Sequence, residues 1–479
     1  MTEALFAVVG HPNKGKSSVV STLTEDDSIA ISRQSGTTTR CRYFPMSVDG
    51  LVLYTLVDTP GFQRARKVLQ WLKEHNTSLA ERRESVAAFV EAHAGSGEFP
   101  DECELLQPIL NGAGIIYVVD GSVPFGNEYE AEMDILRWTG QPSLALINSI
   151  GDGAYEQQWR DVLGQYFQVV RSFNAMNAEF DKRTDLLSTF ALLDDRWRGS
   201  LETAVTRLKN EREARNRRAA GTLANLLIEM VTHVEEVDIG VHGESSLYSD
   251  ALELKYKNFQ RRREEKGRRE IEKIFDYRRL VREEGPHELD LADLFTMRDW
   301  YLWGLSKTQM TLVAAGASAA AGAAIDAVTL GASFGAAALF SSVVGGGAAW
   351  FYSDKLAKVR IKKVLPLGGR TLAFGPSRHR NFPYVILGRA LTHLGQLKQR
   401  THAERQVLSL PDAITPSSPQ SNDTKDPHWY QLLQAEQQKH LDVLMVNLSS
   451  GKDLLNTQQA LLSLLEGLIC DMDRAKTDQ

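Results

Sequence analysis

Cysteine is scarce in this sequence. Cys41, Cys103 and Cys470 are the three cysteines of a 479-residue chain, and they lie too far apart to provide the paired spacing of a zinc site. A disulfide-stapled secreted protein is excluded, and a reduced, cytoplasmic protein is expected. The first residues also show no basic region followed by an apolar one, so no secretory signal peptide is predicted.

A surplus of positive charge is also absent. The chain has 55 Lys and Arg against 61 Asp and Glu, which gives a net charge of −6 with His neutral. Nucleic-acid-binding proteins typically carry a basic patch or an overall basic charge, so a nucleic-acid partner is not expected. The histidines show neither metal-ligand spacing nor the arrangement of a Ser-His-Asp hydrolase. The length suggests about two to four domains.

A glycine-rich octapeptide, GHPNKGKS at residues 10–17, is the most informative feature of the chain. It follows the apolar run 5–9 and precedes a helix-compatible segment, which is the strand–turn–helix setting of a phosphate-binding loop. Lys16 would reach the β- and γ-phosphates, and the Ser17 hydroxyl would ligate Mg²⁺. The residues predicted to contact the nucleotide here are Gly10, Pro12, Asn13, Lys14, Gly15, Lys16, Ser17 and Ser18.

A second motif, Asp58-Thr59-Pro60-Gly61, closes the apolar run 51–57. A carboxylate at the carboxyl end of a strand can hold Mg²⁺ through water. A following glycine can offer its N–H to the γ-phosphate and move when that phosphate leaves. We therefore assign Asp58 to the metal and Gly61 to the nucleotide and its hydrolysis.

Residues 1–195 alternate strand-like apolar runs with helical segments, which is typical of an α/β fold with a mostly parallel, doubly wound sheet. The interval 63–112, directly after the Asp58 motif, is predicted to be mostly helical and to lengthen the nucleotide-sensing region. The candidate strands are 4–10, 42–48, 51–58, 114–120, 143–148 and 167–172.

The rest of the chain is predicted to be mainly helical. Residues 196–305 are densely charged with mixed signs at helical spacing, as solvated helix faces are. Residues 306–407 contain a Gly/Ala-rich segment and a following part with several turns, and 408–428 reads as a flexible linker rich in Pro and Ser. The end of the chain, 429–479, is predicted to hold one helix over 429–474, which docks onto the helical region or forms an oligomer contact.

The Gly/Ala-rich segment 310–352 allows two interpretations. Asp326 is its only side chain that is charged at neutral pH, small residues recur four apart, and aromatic and basic residues flank it. Its length suits a hairpin of two helices, each close to the ~20 residues needed to span a bilayer. One interpretation is peripheral or integral association with an inner membrane or an inner-membrane protein. The other is a tightly packed soluble hairpin, because Ala and Gly give little drive for transfer into lipid.

The two motifs together resemble the Era and TrmE-like branch of the translation-factor-related GTPases, which writes its phosphate loop as GxPNxGKS. The resemblance implies a bacterial GTPase domain that binds GTP or GDP with Mg²⁺, fused to a C-terminal domain of unknown function. It also implies that Asn13 helps to hold a K⁺ ion against the phosphates. Switch I should lie in residues 36–40 (GTTTR), with Thr38 as the second Mg²⁺ ligand and Thr37 or Thr39 as alternatives.

The residue after Gly61 is Phe62, where Ras-like proteins have the glutamine that orients water. A phenyl ring cannot position a nucleophile by hydrogen bonding. Hydrolysis is therefore expected to be slow alone, or to depend on K⁺, on homodimerisation or on a partner.

The base-binding motifs depart from the family's pattern. The family expects Asn-Lys-x-Asp at the end of a strand, whereas Asn148 here is followed by no lysine and Asp152 comes one residue late. Asn174 lies in the loop after the last strand, where a Ser-Ala-Lys-like segment is expected. Guanine recognition by Asn148, Asp152 and Asn174 is thus implied by the resemblance, and an ordinary turn is the alternative.

The leading hypothesis is a GTPase that acts as a molecular switch. GTP and Mg²⁺ would order residues 32–40 and 58–112, hydrolysis would release them, and the helical half would convert this change into binding of a membrane or protein partner. One alternative is an RNA- or ribosome-associated assembly GTPase, as the Era branch often is. Another is a nucleotide-binding scaffold that hydrolyses little.

Overall fold

The chain divides into two compact units in the computed structural model. The first comprises Met1–Glu213, Asp276–Leu280 and Lys398–Gln406, and the second comprises Ala214–Phe275, Val281–Leu397 and Val407–Gln479. The domain limits predicted above stay predictions. The structure describes residues 3–26, 38–76, 78–95, 97–149, 151, 153–178, 180–240, 245–277, 360–363, 370–377, 379–403, 429–451 and 453–474.

Six strands of the first unit form one sheet: β1 (Ala4–Val9), β2 (Arg42–Val48), β3 (Leu51–Asp58), β4 (Gly114–Asp120), β5 (Ser143–Asn148) and β6 (Val169–Ser172). Their order is β2-β3-β1-β4-β5-β6, with parallel pairing except for β2, which pairs antiparallel with β3. The predicted α/β class is confirmed. The strand bounds agree with the prediction, except that β1 ends at Val9 and β6 begins at Val169.

Helices cover both faces of this sheet: α1 (Lys16–Thr24), α2 (Ala65–Glu74), α3 (Arg82–His93), α4 (Pro100–Leu110), α5 (Asn127–Trp138), α6 (Glu156–Leu163), α7 (Phe180–Leu193) and α8 (Asp195–Thr232). Alternate strand residues face opposite sides, as in any pleated strand. Ala7 and Val9 pack in one core with residues of α2 to α6. Phe6 and Val8 pack in a second core with residues of α1, α7 and α8.

The interval 63–112 is helical, as predicted. It holds α2, α3 and α4, with a 3₁₀ turn at Leu79–Glu81 before α3. In α4, Leu105, Leu106 and Ile109 are fully buried in the same core as Ala7 and Val9. This helix is therefore firmly attached to one face of the sheet.

The second unit contains strands as well as helices: β7 (Glu235–Gly240), α9 (Ser245–Ile274), β8 (Arg360–Lys363), β9 (Arg370–Phe374), α10 (Phe382–Gln399), α11 (Ala435–Ser450) and α12 (Leu454–Arg474). The three strands form an antiparallel sheet in the order β7-β9-β8. Tyr256, Leu372 and Phe374 pack in the core between α9 and this sheet. The predicted largely helical character is confirmed, and β7 was missed because EEVDIG is a charged sequence.

The predicted single helix over 429–474 is wrong. Gly451 adopts φ +67° and ends α11, and α12 begins at Leu454, because glycine tolerates the left-handed conformation that terminates a helix. A 3₁₀ turn at Trp429–Leu432 precedes α11. The predicted linker 408–428 and the Gly/Ala-rich segment 310–352 lie outside the described residues. Within the described part of the chain, no helix is both long and apolar enough to cross a membrane.

Candidate nucleotide-binding site

The predicted phosphate loop lies at the carboxyl end of β1. β1 ends at Val9 and α1 begins at Lys16, so residues 10–15 form the turn between strand and helix. Gly10 adopts φ +140°, and a Cβ at this position would lie 2.4 Å from the carbonyl oxygen of Val118 in β4. Any other residue at position 10 would clash with the neighbouring strand, so the first glycine of the motif is a steric requirement.

The two predicted motifs meet at this loop. A Cβ on Gly61 would lie 2.7 Å from the backbone nitrogen of Pro12, so the Asp58 motif approaches the phosphate loop backbone to backbone. Gly15 precedes α1 with φ +85°, and Ser18 is buried in the first helical turn. The pairing of β1 with β3 thus brings the two motifs together, although they are far apart in the sequence.

Asn13 and Lys14 occupy the tip of the loop. Asn13 is exposed and adopts φ +62°, so its side chain is accessible to a ligand. The Lys14 ammonium lies 5.9 Å from the ring centre of Tyr129, and the Lys14 carbonyl accepts a hydrogen bond of 3.2 Å from Asn148 Nδ2. The loop is therefore attached to α5 on one side and to the end of β5 on the other.

The Lys16 ammonium is buried within the loop. Its Nζ donates to the carbonyl oxygens of Gly10, at 3.1 Å, and His11, at 3.0 Å. Burial lowers the pKa of Lys16 to about 8, although the negative charges of Asp58 and Glu132 oppose this shift. The Lys16 ammonium is buried and held by neutral carbonyl oxygens in this loop. A negatively charged phosphate should therefore bind it more strongly than these two carbonyls do.

Ser17, Thr38 and Asp58 converge on one point. Ser17 Oγ donates to Asp58 Oδ2 at 2.8 Å, and Thr38 Oγ1 donates to the same oxygen at 3.3 Å. Burial raises the pKa of Asp58, while the hydrogen bond from Ser17 and the charge of Lys16 lower it. Thr39, one of the alternatives to Thr38, is exposed. Thr37 lies outside the described residues.

This oxygen cluster fits a hard divalent cation. Asp58 is 3% exposed, and within the described part of the protein its Oδ1 atom has no hydrogen-bond partner. Mg²⁺ prefers oxygen ligands and commonly takes one or two carboxylates together with phosphate oxygens. The described residues contain no group of three or more His, Cys, Asp or Glu that could hold a metal by themselves. An ion at Asp58 would therefore complete its coordination with hydroxyls, water and phosphate.

Of the three residues predicted to bind the base, Asn148 contacts the phosphate loop. Asn148 is buried at the end of β5, and its Oδ1 accepts a hydrogen bond of 3.1 Å from the Ala175 N–H. Asn174 is exposed, and its Oδ1 accepts from the Met176 N–H at 2.9 Å. Asp152 lies outside the described residues. Asn148 thus connects the phosphate loop to the loop after β6, a bridging role that the sequence did not reveal.

His11, Glu132 and Tyr117 form a polar cluster in which the carboxylate and the tyrosine are buried and the histidine of the loop is half-buried, and none of them was predicted to belong to the site. His11 Nδ1 lies 2.8 Å from Glu132 Oε1, and the Tyr117 hydroxyl donates to Glu132 Oε2 at 2.8 Å. Burial raises the pKa of Glu132, which is 1% exposed, while its bonds with His11 and Tyr117 lower it. The sequence signal for this cluster is a glutamate on the apolar face of α5.

Phe62 does not face the nucleotide site. Its ring is 1% exposed and packs in the core with residues of α2, among them Ala65 and Val68. The position that follows Gly61 therefore contributes an apolar anchor for the start of α2, and no polar group toward a substrate.

Comparisons with known proteins agree with this arrangement. A family model described as 50S ribosome-binding GTPase matches residues 5–144, and a model described as a domain of unknown function, DUF3482, matches residues 160–459. GTPase Der of Lactobacillus helveticus is 34% identical over 119 residues, which are 24% of this chain and 27% of that protein. GTPase Der of Acinetobacter baumannii is 25% identical over 159 residues, 31% of this chain and 34% of that protein.

The chain thus spans about a quarter to a third of the length of the curated relatives it matches. Among solved structures, Era in complex with MgGDPNP and nucleotides 1506–1542 of 16S ribosomal RNA aligns with 57% of this chain and 90% of its own, at 14% identity and a TM-score of 0.28. The DUF3482 match covers more than half of the 479 residues. The chain therefore belongs to the DUF3482 family, and it carries an Era/Der-like GTPase domain ahead of the region that defines that family.

Proposed function

We propose that this protein is a Mg²⁺-dependent GTPase that works as a nucleotide-controlled switch. The observation that carries the proposal is the convergence of the Ser17 and Thr38 hydroxyls on Asp58, beside the buried ammonium of Lys16. Two hydroxyls and a buried carboxylate, whose Oδ1 has no hydrogen-bond partner among the described residues, suit a cation that also binds phosphate. The match to the GTPase family model supports the same function.

In this proposal each loop residue has a defined task. Lys16 exchanges the carbonyls of Gly10 and His11 for oxygens of the β- and γ-phosphates. Ser17, Thr38 and Asp58 hold Mg²⁺, which supplies positive charge against the phosphate oxygens when it is bound. Gly61 offers its N–H to the γ-phosphate and transmits its loss to α2.

Hydrolysis needs a group other than Phe62, because that ring is buried in the core. We propose that a K⁺ ion held by Asn13 supplies part of the missing positive charge, in the place of an arginine finger. Asn13 is exposed at the tip of the phosphate loop, where such an ion would contact phosphate oxygens. Turnover by the isolated protein is therefore expected to be slow and to be faster in K⁺ than in Na⁺.

The preference for guanine is the finer part of the proposal. Asn148 lies at the end of β5 and binds the loop that follows β6, so both loops border the place where a base would lie. Asn174 and Asp152 are the other proposed base contacts. The match to GTPase Der supports guanine rather than adenine.

The first experiment measures binding of fluorescent GTP and ATP analogues to the purified full chain, followed by phosphate release in K⁺ and in Na⁺. We expect selective binding of GTP and turnover that K⁺ stimulates and Asn13→Ala abolishes. Asn127→Ala, an exposed asparagine at the start of α5, is the matched control. Equal binding of ATP would contradict the guanine assignment, and turnover indifferent to K⁺ and to Asn13 would contradict the role of the cation.

Ribosome association is the second candidate function. The observation that favours it is the family model, whose description names the 50S ribosome. A net charge of −6 argues against broad electrostatic binding to RNA, so contact would be local or through ribosomal protein. Co-sedimentation of the full chain with 50S subunits, in GTP-analogue and GDP states, tests this function. Co-sedimentation with liposomes instead would support the membrane partner proposed for residues 310–352.

A further inference from the structure

Helix α4 contacts the segment that follows Gly61 through a buried carboxylate. Glu102 is 1% exposed, and its Oε1 accepts hydrogen bonds from the backbone N–H groups of Gln63, at 2.9 Å, and Arg64, at 2.5 Å. These two N–H groups directly precede α2, where a helix leaves donors without intrahelical partners. Glu102 therefore acts as a tertiary cap for α2, supplied from a helix about forty residues later in the chain.

The same helix contacts the segment that follows Thr38. Glu104 Oε1 accepts a hydrogen bond of 2.8 Å from the Cys41 N–H, and the Glu104 carbonyl accepts one of 3.1 Å from the Cys41 thiol. Cys41 is three residues beyond Thr38, whose hydroxyl binds Asp58. One turn of α4 thus binds the backbone of two segments, one after Thr38 and one after Gly61, and both segments border the candidate Mg²⁺ site.

The position of Glu102 within α4 is unusual. Leu105, Leu106 and Ile109 are fully buried and lie three, four and seven residues after Glu102, which places the glutamate on the same buried stripe of the helix. Glutamate is almost never fully buried unless it has partners. Its partners here are the backbone N–H groups of Gln63 and Arg64. The packing of α4 therefore fixes the position of these two groups relative to the sheet.

We propose that Glu102 and Glu104 are positioning residues that join the two phosphate-sensing segments through α4, so that residues 38–41 and 61–64 respond to nucleotide as one unit. The helix is anchored in the core, so neither segment can leave its contact without losing a charge-assisted hydrogen bond. Release of one segment removes a contact of the helical turn that carries Glu102 and Glu104, which precedes the core residues of α4, so this turn fluctuates more and holds the other segment less well. This inference rests on the proposed GTPase function and names the element that coordinates it.

Hydrogen exchange resolved to residues 38–44 and 60–66 of the full chain tests the linkage. Glu104→Ala removes the side-chain acceptor of the Cys41 N–H and keeps the carbonyl that binds the Cys41 thiol, yet we expect it to accelerate amide exchange in 60–66 as well. Glu102→Ala removes the contact to Gln63 and Arg64, and we expect faster exchange in 38–44. The change expected in the segment that the variant does not touch is several-fold, which is less than the roughly 10- to 150-fold that loss of a direct hydrogen bond to a charged group produces.

Conservative variants and a matched control separate positioning from general loss of structure. Glu102→Gln and Glu104→Gln keep an acceptor oxygen, so they should restore most of the protection in both segments. Glu91→Gln on the exposed face of α3 should leave both segments unchanged. If Glu102→Ala fails to fold, Glu104→Ala alone still decides the matter, because the half-buried Glu104 side chain accepts its hydrogen bond from Cys41, in the other segment.

Turnover gives a second measurement. We expect Glu104→Ala to lower kcat severalfold while the affinity for GDP stays unchanged, because the phosphate loop itself is intact. Exchange that accelerates only in the segment each variant contacts would overturn the proposal. If the wild-type chain does not bind guanine nucleotide, the proposed function fails. The linkage is then tested in the nucleotide-free protein: faster exchange in the segment that each variant does not contact would support it, and unchanged exchange there would overturn it.

Discussion

At the scale of single residues, the phosphate loop depends on side chains that lie outside the loop. Glu132 joins His11 in the loop to Tyr117 in β4, and all of its carboxylate contacts come from distant parts of the sequence. A buried carboxylate between two donors holds the loop in place through both of its oxygens. The loop's conformation is therefore set by α5 and β4 as much as by its own glycines.

Replacing Glu132 by Ala should destabilise the protein by about 2–3 kcal/mol, because it leaves the Tyr117 hydroxyl and His11 Nδ1 without their acceptor. Glu132→Gln keeps an acceptor and should cost about 1 kcal/mol. Urea unfolding measures both. Glu128→Ala, exposed on the same helix, is the control and should stay within about 0.5 kcal/mol of wild type. Equal stability of Glu132→Ala and the control would contradict this role.

In the second unit, the buried carboxylate of Glu264 binds two arginines, and its ionisation leads to a prediction about stability and pH. Arg389 is fully buried, and its Nε and Nη2 atoms donate to the two oxygens of Glu264 at 2.6 and 3.3 Å, while Arg268 Nη2 lies 2.9 Å from Oε1. Burial alone would raise the pKa of Glu264, but the charges of Arg268 and Arg389 outweigh it and hold this pKa below the ordinary 4.5. The ionised glutamate is therefore the form that stabilises the fold.

Glu264→Gln should cost about 3–5 kcal/mol near pH 7, because it breaks a buried ion pair from one side. A depressed folded-state pKa contributes stability that is present above 4.5 and is lost as the pH falls below it, so the difference between variant and wild type should shrink in acid. Chemical unfolding across this pH range measures the effect. Glu265→Gln, whose partner Arg269 is exposed, should cost no more than about 1 kcal/mol. A difference that does not change with pH would refute the ion-pair explanation.

At the scale of elements, the loop after β6 is held by two hydroxyls from separate segments. The Ala175 carbonyl accepts hydrogen bonds from Thr22 in α1, at 2.6 Å, and from Thr401, at 2.9 Å. The Ala175 N–H is bound to Asn148, so both backbone polar groups of this residue are fixed. The loop proposed to border the base is thereby attached to α1 and to Thr401, which belongs to the same unit.

Thr401→Val removes one hydroxyl from this contact at nearly constant volume. It should weaken binding of a fluorescent GTP analogue a few-fold and leave competition by inorganic triphosphate unchanged, because only the base side of the site is loosened. Thr203→Val, on the exposed side of α8, is the control. Equal weakening for GTP and inorganic triphosphate would show that Thr401 does not act through the base side.

At the scale of the whole molecule, the first unit is assembled from three separate parts of the chain. Tyr277 donates its hydroxyl to the Arg400 carbonyl at 2.6 Å and stacks on His402 at 4.5 Å between ring centres. His402 and Ala403 are buried. Buried residues from beyond the contiguous amino-terminal region therefore belong to the same unit as the phosphate loop.

A fragment of residues 1–213 should fold less completely than the same unit in the full chain. It lacks the buried side chains at 277 and 401–403, so amide exchange in residues 173–178 should be faster and a hydrophobic dye should bind more strongly. Amides of β4, at the centre of the sheet, serve as the internal control and should remain protected. Unchanged exchange in 173–178 would mean that the later segments do not support this loop.

The sequence by itself determined the features that local rules govern. The phosphate loop follows from glycine sterics and a strand–turn–helix pattern, and the central strands β1, β4 and β5 follow from apolar runs that are buried on both faces. Phe62 was recognised as unable to orient water from its chemistry alone. These properties depend on a few consecutive residues, so no contact had to be known.

Only the tertiary structure decided the features that rest on distant pairs. β7 pairs with β9 across more than a hundred residues, and its charged sequence carries no strand signal. The break at Gly451 replaced one predicted helix by two. Glu102, Glu104 and Glu132 appear in the sequence as ordinary helix glutamates. The burial of Glu102 and Glu132 and the contact of Glu104 with Cys41 follow from packing, because the free energy that keeps a charge inside a protein comes from partners that only the fold brings near.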